Sequence, residues 1–206
     1  MTSTEGIVPM ADGRPDTAIL LAAIEFASRK HSTQRRKNEE ASPYINHPIA
    51  VTHLLADTGG VSDLVTLMAA VLHDTIEDTE TTPSELDEHF GQTVRKVVEE
   101  MTDDKTIDKA VRKQRQIEHA PNLSCRAKAI KLADKIANVR DVMESPPPDW
   151  PLARRIEYLD WTERVVAGCR GTNDALEKLY DEVLNRGRAM LRIGEECLTE
   201  GSRSRP

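Results

Sequence analysis

Aromatic residues are scarce in this chain: two Phe, three Tyr and two Trp make up 3% of 206 positions. A core with so few rings must be built from Leu, Ile, Val and Ala. The three cysteines, Cys125, Cys169 and Cys197, are scattered and show no CxxC spacing. They form no disulfide framework and fit a reducing compartment, so a cytoplasmic protein is expected. No apolar run approaches the roughly 20 residues that a membrane span needs. The first residues, MTSTEGIVPMADGRPD, lack a basic region followed by an apolar stretch, so no secretory signal is read there. Positive charge is also in deficit: 28 Lys and Arg face 35 Asp and Glu, for a net charge of −7. A general nucleic-acid-binding module is usually basic, so that role is disfavoured. No stretch alternates apolar and polar residues with period two, and strands are not expected. There is no internal repeat and no low-complexity segment.

What the chain does have is helical periodicity. TAILLAAIEFASRKH carries a broad apolar face after Pro15 and Asp16, which suit a helix start. NHPIAVTHLLADTGG places Pro48 in a first turn, with Gly59 and Gly60 as stops. SDLVTLMAAVLHD is apolar nearly all round after Ser62, the expected N-cap, and reads as a central buried helix. TPSELDEHFG is a capping box: Thr82 caps, Pro83 comes first, Glu85 lies three after the cap, and Gly91 is a stop. Val94, Val97, Val98 and Met101 then recur at helical spacing, and a charged helix follows around IDKAVRKQRQIEHA. Ser124 caps SCRAKAIKLADKIANVRDVM, SPPPDW breaks the chain, and two helices follow near 151–170 and 173–198. The expectation is one compact all-α domain over residues 16–198, with a disordered lead at 1–15 and a disordered tail at 199–206.

HDTIEDT, residues 73–79, places one histidine and three carboxylates directly after the apolar run LVTLMAAVL. Crowded carboxylates repel and raise one another's pKa, so a partly buried cluster calls for a counter-charge. A divalent cation is the most compact one. His73 and Asp74 offer one nitrogen and one oxygen. Asp134, in the otherwise apolar KLADKIAN, would be costly to bury alone, and Asn138 shares its helix face four residues on. His31 ends the first helix and is a further ligand candidate. Glu77 and Asp78 would sit one turn past Asp74 if the helix persists, close enough to handle a water. Each piece also has an ordinary reading. A His–Asp pair is often a surface hydrogen bond, Asp134 can pair with Lys131, Lys135 or Arg140, and His31 can be a solvated helix end. His47, before Pro48, and His53 are read as structural, and His89 and His119 as polar surface. RKHSTQRRK, residues 29–37, holds five Arg or Lys in an acidic protein: either a local anion site or a solvated helix end.

The order FASRKHSTQRRK, PYINHP, AAVLHDTIEDT, VRKVVEEMTDDK, KAIKLADKIANVRD, EYLDW resembles the hydrolase domain of the RelA/SpoT family, a branch of the HD-domain metal phosphohydrolases. It is most similar to the single-domain small alarmone hydrolases, from about residue 17 to 187. HDTxEDT with KLADKxxN and HxxQxRK is a far more specific combination than HD alone. The resemblance implies an all-α HD-domain helical bundle holding one Mn²⁺ per chain. Its relatives hydrolyse (p)ppGpp to GDP or GTP plus pyrophosphate. Matched position by position, it implies His31, His73, Asp74 and Asp134 as metal ligands and Glu77 and Asp78 as the water-activating pair. It implies Arg36, Lys37 and Asn138 as nucleotide contacts. Asp141 stands where many long relatives carry Thr near the base. No stretch resembles the synthetase or regulatory domains of the long enzymes, so alarmone synthesis is not expected. The expected partner is a small nucleotide, with no nucleic acid and no membrane; the number of subunits is left open. Two other readings use the same residues: removal of the 2′-phosphate of NADPH, and a catalytically inactive alarmone sensor. Glu77 and Asp78 argue against the sensor.

Overall fold

A computed structural model describes the backbone of residues 13–203 and the side chains of residues 13–192. The expected lead (1–15) lies outside the described residues up to residue 12, and the last three residues of the expected tail (199–206) lie outside them too. The helices in chain order are α1 (Asp16–Lys30), α2 (Asn46–Asp57), α3 (Leu64–Leu72), α4 (Thr75–Asp78), α5 (Pro83–Met101), α6 (Lys109–His119), α7 (Cys125–Glu144), α8 (Leu152–Ala167) and α9 (Asp174–Arg203). A 3₁₀ turn, Ala120–Asn122, links α6 to α7. The described residues form no strand, only an isolated antiparallel bridge between Arg35 and Pro43. The fold is all-α, as the periodicity predicts. No helix among the described residues is long and apolar enough to cross a membrane.

Two helices are buried on nearly every side; His73 follows the end of one and Asp134 stands on the other. In α3, every residue from Thr66 to Leu72 is buried. Each fully buried Leu, Val or Met stabilises the fold by about 1.5–3 kcal/mol relative to exposure. In α7, Ile130 through Ala137 are buried without interruption. α7 packs against α2, α3, α5, α8 and α9, while α3 packs against α1, α2 and α5. The apolar helix that ends in His73 and the apolar helix that carries Asp134 are therefore neighbours.

The caps place the helix starts. Thr82 accepts from the amide of Glu85 at 3.2 Å, and Ser124 accepts from Ala127 at 3.2 Å, as the capping patterns predict. At α3 the cap is Asp63, not Ser62. Its carboxylate accepts from the Thr66 amide at 3.1 Å and also takes the Arg126 Nε at 2.8 Å. A carboxylate can satisfy the helix and a cation on α7 together; the Ser62 hydroxyl offers no such bridge. Gly91 does break the helix, as a kink inside α5. Its φ of 80° is a left-handed conformation that an L side chain strains to adopt, and the helix resumes beyond it.

Candidate metal centre and the cavity beside it

Helix α3 stops at Leu72. Thr75 seals the stop by donating its hydroxyl to the Leu72 carbonyl at 2.7 Å. The chain then makes the single turn α4, closed by the Asp78 amide on the Asp74 carbonyl at 2.8 Å. The helical run from α3 to Glu77 and Asp78 is thus interrupted at His73–Asp74. Both joint residues keep right-handed helical dihedrals, and their side chains meet, with His73 Nε2 3.0 Å from Asp74 Oδ2.

Three buried side chains, His47, His73 and Asp134, bring potential ligand atoms within 4.8 Å of one another. The His47 Nε2 lies 3.1 Å from Asp134 Oδ1 and 3.9 Å from Asp74 Oδ2. The His73 Nε2 lies 3.0 Å from Asp74 Oδ2 and 3.9 Å from Asp134 Oδ1. Two imidazole nitrogens and two carboxylates therefore converge from α2, α7 and the α3–α4 joint. The structure joins His73, Asp74 and Asp134 as expected, but the second imidazole is His47. This corrects the reading of His47 as structural. His31 is not in the three-residue group; its Nδ1 meets the Gln34 Oε1 at 2.6 Å. His47 had a signal in the sequence. It shares the inner face of α2 with Val51, Leu54 and Leu55, and a histidine on so apolar a face needs a partner.

The surrounding bonds fit a cation. The His73 Nδ1 donates to the Ala70 carbonyl at 2.7 Å, which leaves Nε2 as the atom aimed at the carboxylates. Tyr44 donates its hydroxyl to Asp74 Oδ2 at 2.6 Å. The Asp134 carboxylate accepts from Asn138 at 2.6 Å and from the buried Lys135 ammonium at 2.8 Å. Burial opposes a charged His73, yet the carboxylates of Asp74 and Asp134 outweigh it and push the imidazole up to about 9. Burial likewise opposes ionised Asp134, but Lys135, His47 and His73 hold it well below the usual carboxylate range. The positive charge that these carboxylates favour on His73 is one that a divalent ion would also supply.

Glu77 and Asp78 flank this centre. Burial pushes Glu77 up; the Asp103 amide, donating at 3.1 Å, pulls it back, and the negative Asp74, Asp103 and Asp78 add to the rise. The result is about 7. Asp78 accepts from Gln34 Nε2 at 2.8 Å and pairs closely with Lys105.

Beside the centre lies a cavity of about 1020 Å³, which His47 and Asp78 line. Arg36, Lys37, Asn138 and Asp141 line it too, so the expected nucleotide contacts share one wall system. The Arg36 guanidinium pairs closely with Asp141, reaches Asn138 Oδ1 at 3.4 Å and lies 5.5 Å from the Tyr44 ring. A smaller cavity of about 230 Å³ adjoins it at Trp150 and Tyr158, with Glu77, Lys109, Arg112 and Arg154 on its walls. Lys105, which closes the VRKVVEEMTDDK segment but is given no role by the sequence, lines the large cavity and lies 3.9 Å from Glu77 Oε1.

The family model for the HD domain matches residues 23–159. A Xenopus tropicalis protein named guanosine-3′,5′-bis(diphosphate) 3′-pyrophosphohydrolase MESH1 is 51% identical over 168 residues, covering 82% of this chain and 94% of the relative. The Homo sapiens protein of the same name is 52% identical over 163 residues, covering 79% and 91%. A solved structure, described as a metazoan ortholog of SpoT that hydrolyzes ppGpp and plays a role in starvation responses, matches with a TM-score of 0.80. It is 43% identical and covers 82% of this chain and 95% of its own.

Proposed function

The chain belongs to the HD-domain family, and we propose that it is a guanosine-3′,5′-bis(diphosphate) 3′-pyrophosphohydrolase, converting ppGpp or pppGpp to GDP or GTP plus pyrophosphate. The observation that carries this reading is the buried His47–His73–Asp134 group with Asp74, opening beside a cavity walled by cations. A relative's activity is thereby matched by a site with the donors and the charge that the reaction needs.

Nε2 of His47 and His73 and the carboxylates of Asp74 and Asp134 would hold one divalent ion, and Mn²⁺ suits this mixed nitrogen and oxygen set. Such an ion supplies Lewis acidity, easing attack on a phosphorus shielded by its own negative oxygens. The chain's residues do the rest. A carboxylate that titrates near neutrality is a suitable proton acceptor, and Glu77 is held at about 7. Asp78, on the same turn, orients the attacking water. The water oxygen bonds to the phosphorus on the ribose 3′ oxygen, the bond from that phosphorus to the 3′ oxygen breaks, and the 3′ oxygen gains a proton. Pyrophosphate leaves intact.

Arg36, Lys37 and Asn138 face the nucleotide across the cavity. The flat guanidinium of Arg36 stacks on a purine as Lys cannot. Its pairing with Asp141 keeps it extended over the cavity before substrate arrives.

The test is release of GDP and pyrophosphate from ppGpp by purified protein with Mn²⁺, with and without chelator, and with NADPH in parallel. Products from ppGpp only when metal is present support the reading. Phosphate from NADPH with ppGpp untouched would retain the centre and replace the substrate. Tight ppGpp binding without turnover would make the protein a sensor.

A further inference from the structure

Gln34 lies between two groups that fix its orientation. The Asp78 carboxylate accepts hydrogen bonds, so the Gln34 atom 2.8 Å from Asp78 Oδ2 is the amide nitrogen. The amide oxygen then faces away, 2.6 Å from His31 Nδ1. A carbonyl oxygen cannot donate, so Nδ1 of His31 carries the proton. The result is a directed chain, His31 Nδ1–H to Gln34 Oε1 and Gln34 Nε2–H to Asp78 Oδ2. Its far end is rigid: His31 is 1% exposed, caps α1 through its amide on the Ala27 carbonyl at 2.9 Å, and packs 5.0 Å from the Tyr44 ring. The Gln34 backbone is held at both sides, its amide on the His31 carbonyl at 3.0 Å and its carbonyl under the Tyr44 amide at 3.1 Å.

Asp78 needs such a support. Its other oxygen pairs with Lys105, whose side chain is 47% exposed. A half-exposed lysine attracts the carboxylate without fixing its rotamer, whereas a part-buried donor whose backbone is anchored on both sides fixes it. We propose that His31 and Gln34 are positioning residues that aim the Asp78 carboxylate at the attacking water. The proposal rests on Asp78 as the water-handling carboxylate. It gives His31, whose Nδ1 is committed to Gln34, a task outside the metal ligands, and it accounts for the three-residue spacing of His31 and Gln34.

The variants are Gln34→Leu, His31→Leu and His31→Asn, the last keeping an N–H donor near the position of Nδ1. Each is assayed for bound Mn²⁺, for kcat and KM on ppGpp, and for thermal midpoint. Both Leu variants should lower kcat by about 10- to 100-fold, with KM changed less than about twofold and metal still stoichiometric. His31→Asn should recover most of kcat. Loss of metal from His31→Leu would make His31 a ligand and overturn the proposal, as would an unchanged kcat or a His31→Asn variant no better than Leu. Nitrogen-15 shifts of the metal-free parental protein read the relay without turnover. They should show His31 as the Nδ1–H tautomer; an Nε2–H tautomer overturns the relay. Should the parental protein leave ppGpp intact, the substrate assignment fails while this tautomer readout still decides the hydrogen-bonded chain.

Discussion

The centre divides its carboxylates by environment. Asp74 and Asp134 are locked as anions by histidines, Tyr44 and Lys135, whereas Glu77 is left where a proton can come and go. Substitutions should separate these roles. His47→Ala should abolish Mn²⁺ binding and turnover together, while Asp78→Asn should keep stoichiometric metal and lose about 10²- to 10⁴-fold in kcat. Metal analysis beside the kinetics distinguishes them, and a His47→Ala protein with full metal would redraw the ligand set. Glu77 also links pH to stability. Its folded pKa of about 7 lies above its ordinary 4.5, so folding favours the protonated acid. That contribution is complete below about 4.5 and is lost as pH rises through 7. Glu77→Gln, which keeps an acceptor for the Asp103 amide, should therefore stabilise the metal-free protein by roughly 2–3 kcal/mol at pH 8 and by little at pH 4. Denaturant midpoints at the two pH values measure this, and equal gains at both would refute the link. Much of this site was legible in the residues: His73 and Asp74 end an apolar run, and Asp134 interrupts one. His47 was legible only in part: its spacing from Val51, Leu54 and Leu55 set it on the apolar face of α2, while its place beside Pro48 offered a turn as sufficient reason for it. The folded α2 instead points it at Asp134. Gln34 was illegible because a lone amide acquires meaning only from what lies at its two ends.

At the level of elements, the joint between α3 and α4 does what neither helix does alone. The Thr75 hydroxyl takes the Leu72 carbonyl where α3 gives way to α4. Periodicity located the helices, since an apolar stripe is a property of the sequence itself. It could not locate the break, because Thr75 continues a helix as readily as it ends one. The same holds for Asp63, whose choice over Ser62 depends on Arg126, far off in sequence. Close packing sets another limit at the end of α8. A Cβ on Gly168 would lie 2.7 Å from the Ala120 Cβ and 2.8 Å from the Pro121 Cδ. Its φ of −75° suits any residue, so space alone demands glycine there. Both neighbours belong to the short turn before α7 and cannot swing aside. Gly168→Ala should lower stability by about 1–3 kcal/mol while leaving bound metal stoichiometric. Unchanged thermal stability would show that the α8–turn contact gives way.

Taken whole, the molecule carries a net charge of −7 yet lines its large cavity with Arg35, Arg36, Lys37, Lys105 and Arg140. These five cations outnumber Asp78, Asp141 and Glu144 on the same lining, which in an acidic molecule favours gathering a multiply charged anion there. The centre also unites parts distant in sequence, with His47 on α2, His73 and Asp74 at the α3–α4 joint, and Asp134 on α7. An ion binding these four only in the folded state stabilises the whole domain by mass action. At 100 times its Kd the gain is about 2.7 kcal/mol, which for a chain of this size raises Tm by roughly 5–10 °C. Removing Mn²⁺ with a chelator should reverse that rise in the parental protein and in Asp78→Asn alike, since the proposed reading has Asp78 handling water and not holding the ion. In His47→Ala the chelator should change nothing. The comparison rests on heat rather than turnover, so it tests the centre whatever nucleotide proves to be the substrate. A parental Tm indifferent to Mn²⁺ and to chelator would leave the buried group as a proton-bridged cluster of imidazoles and carboxylates rather than a metal site.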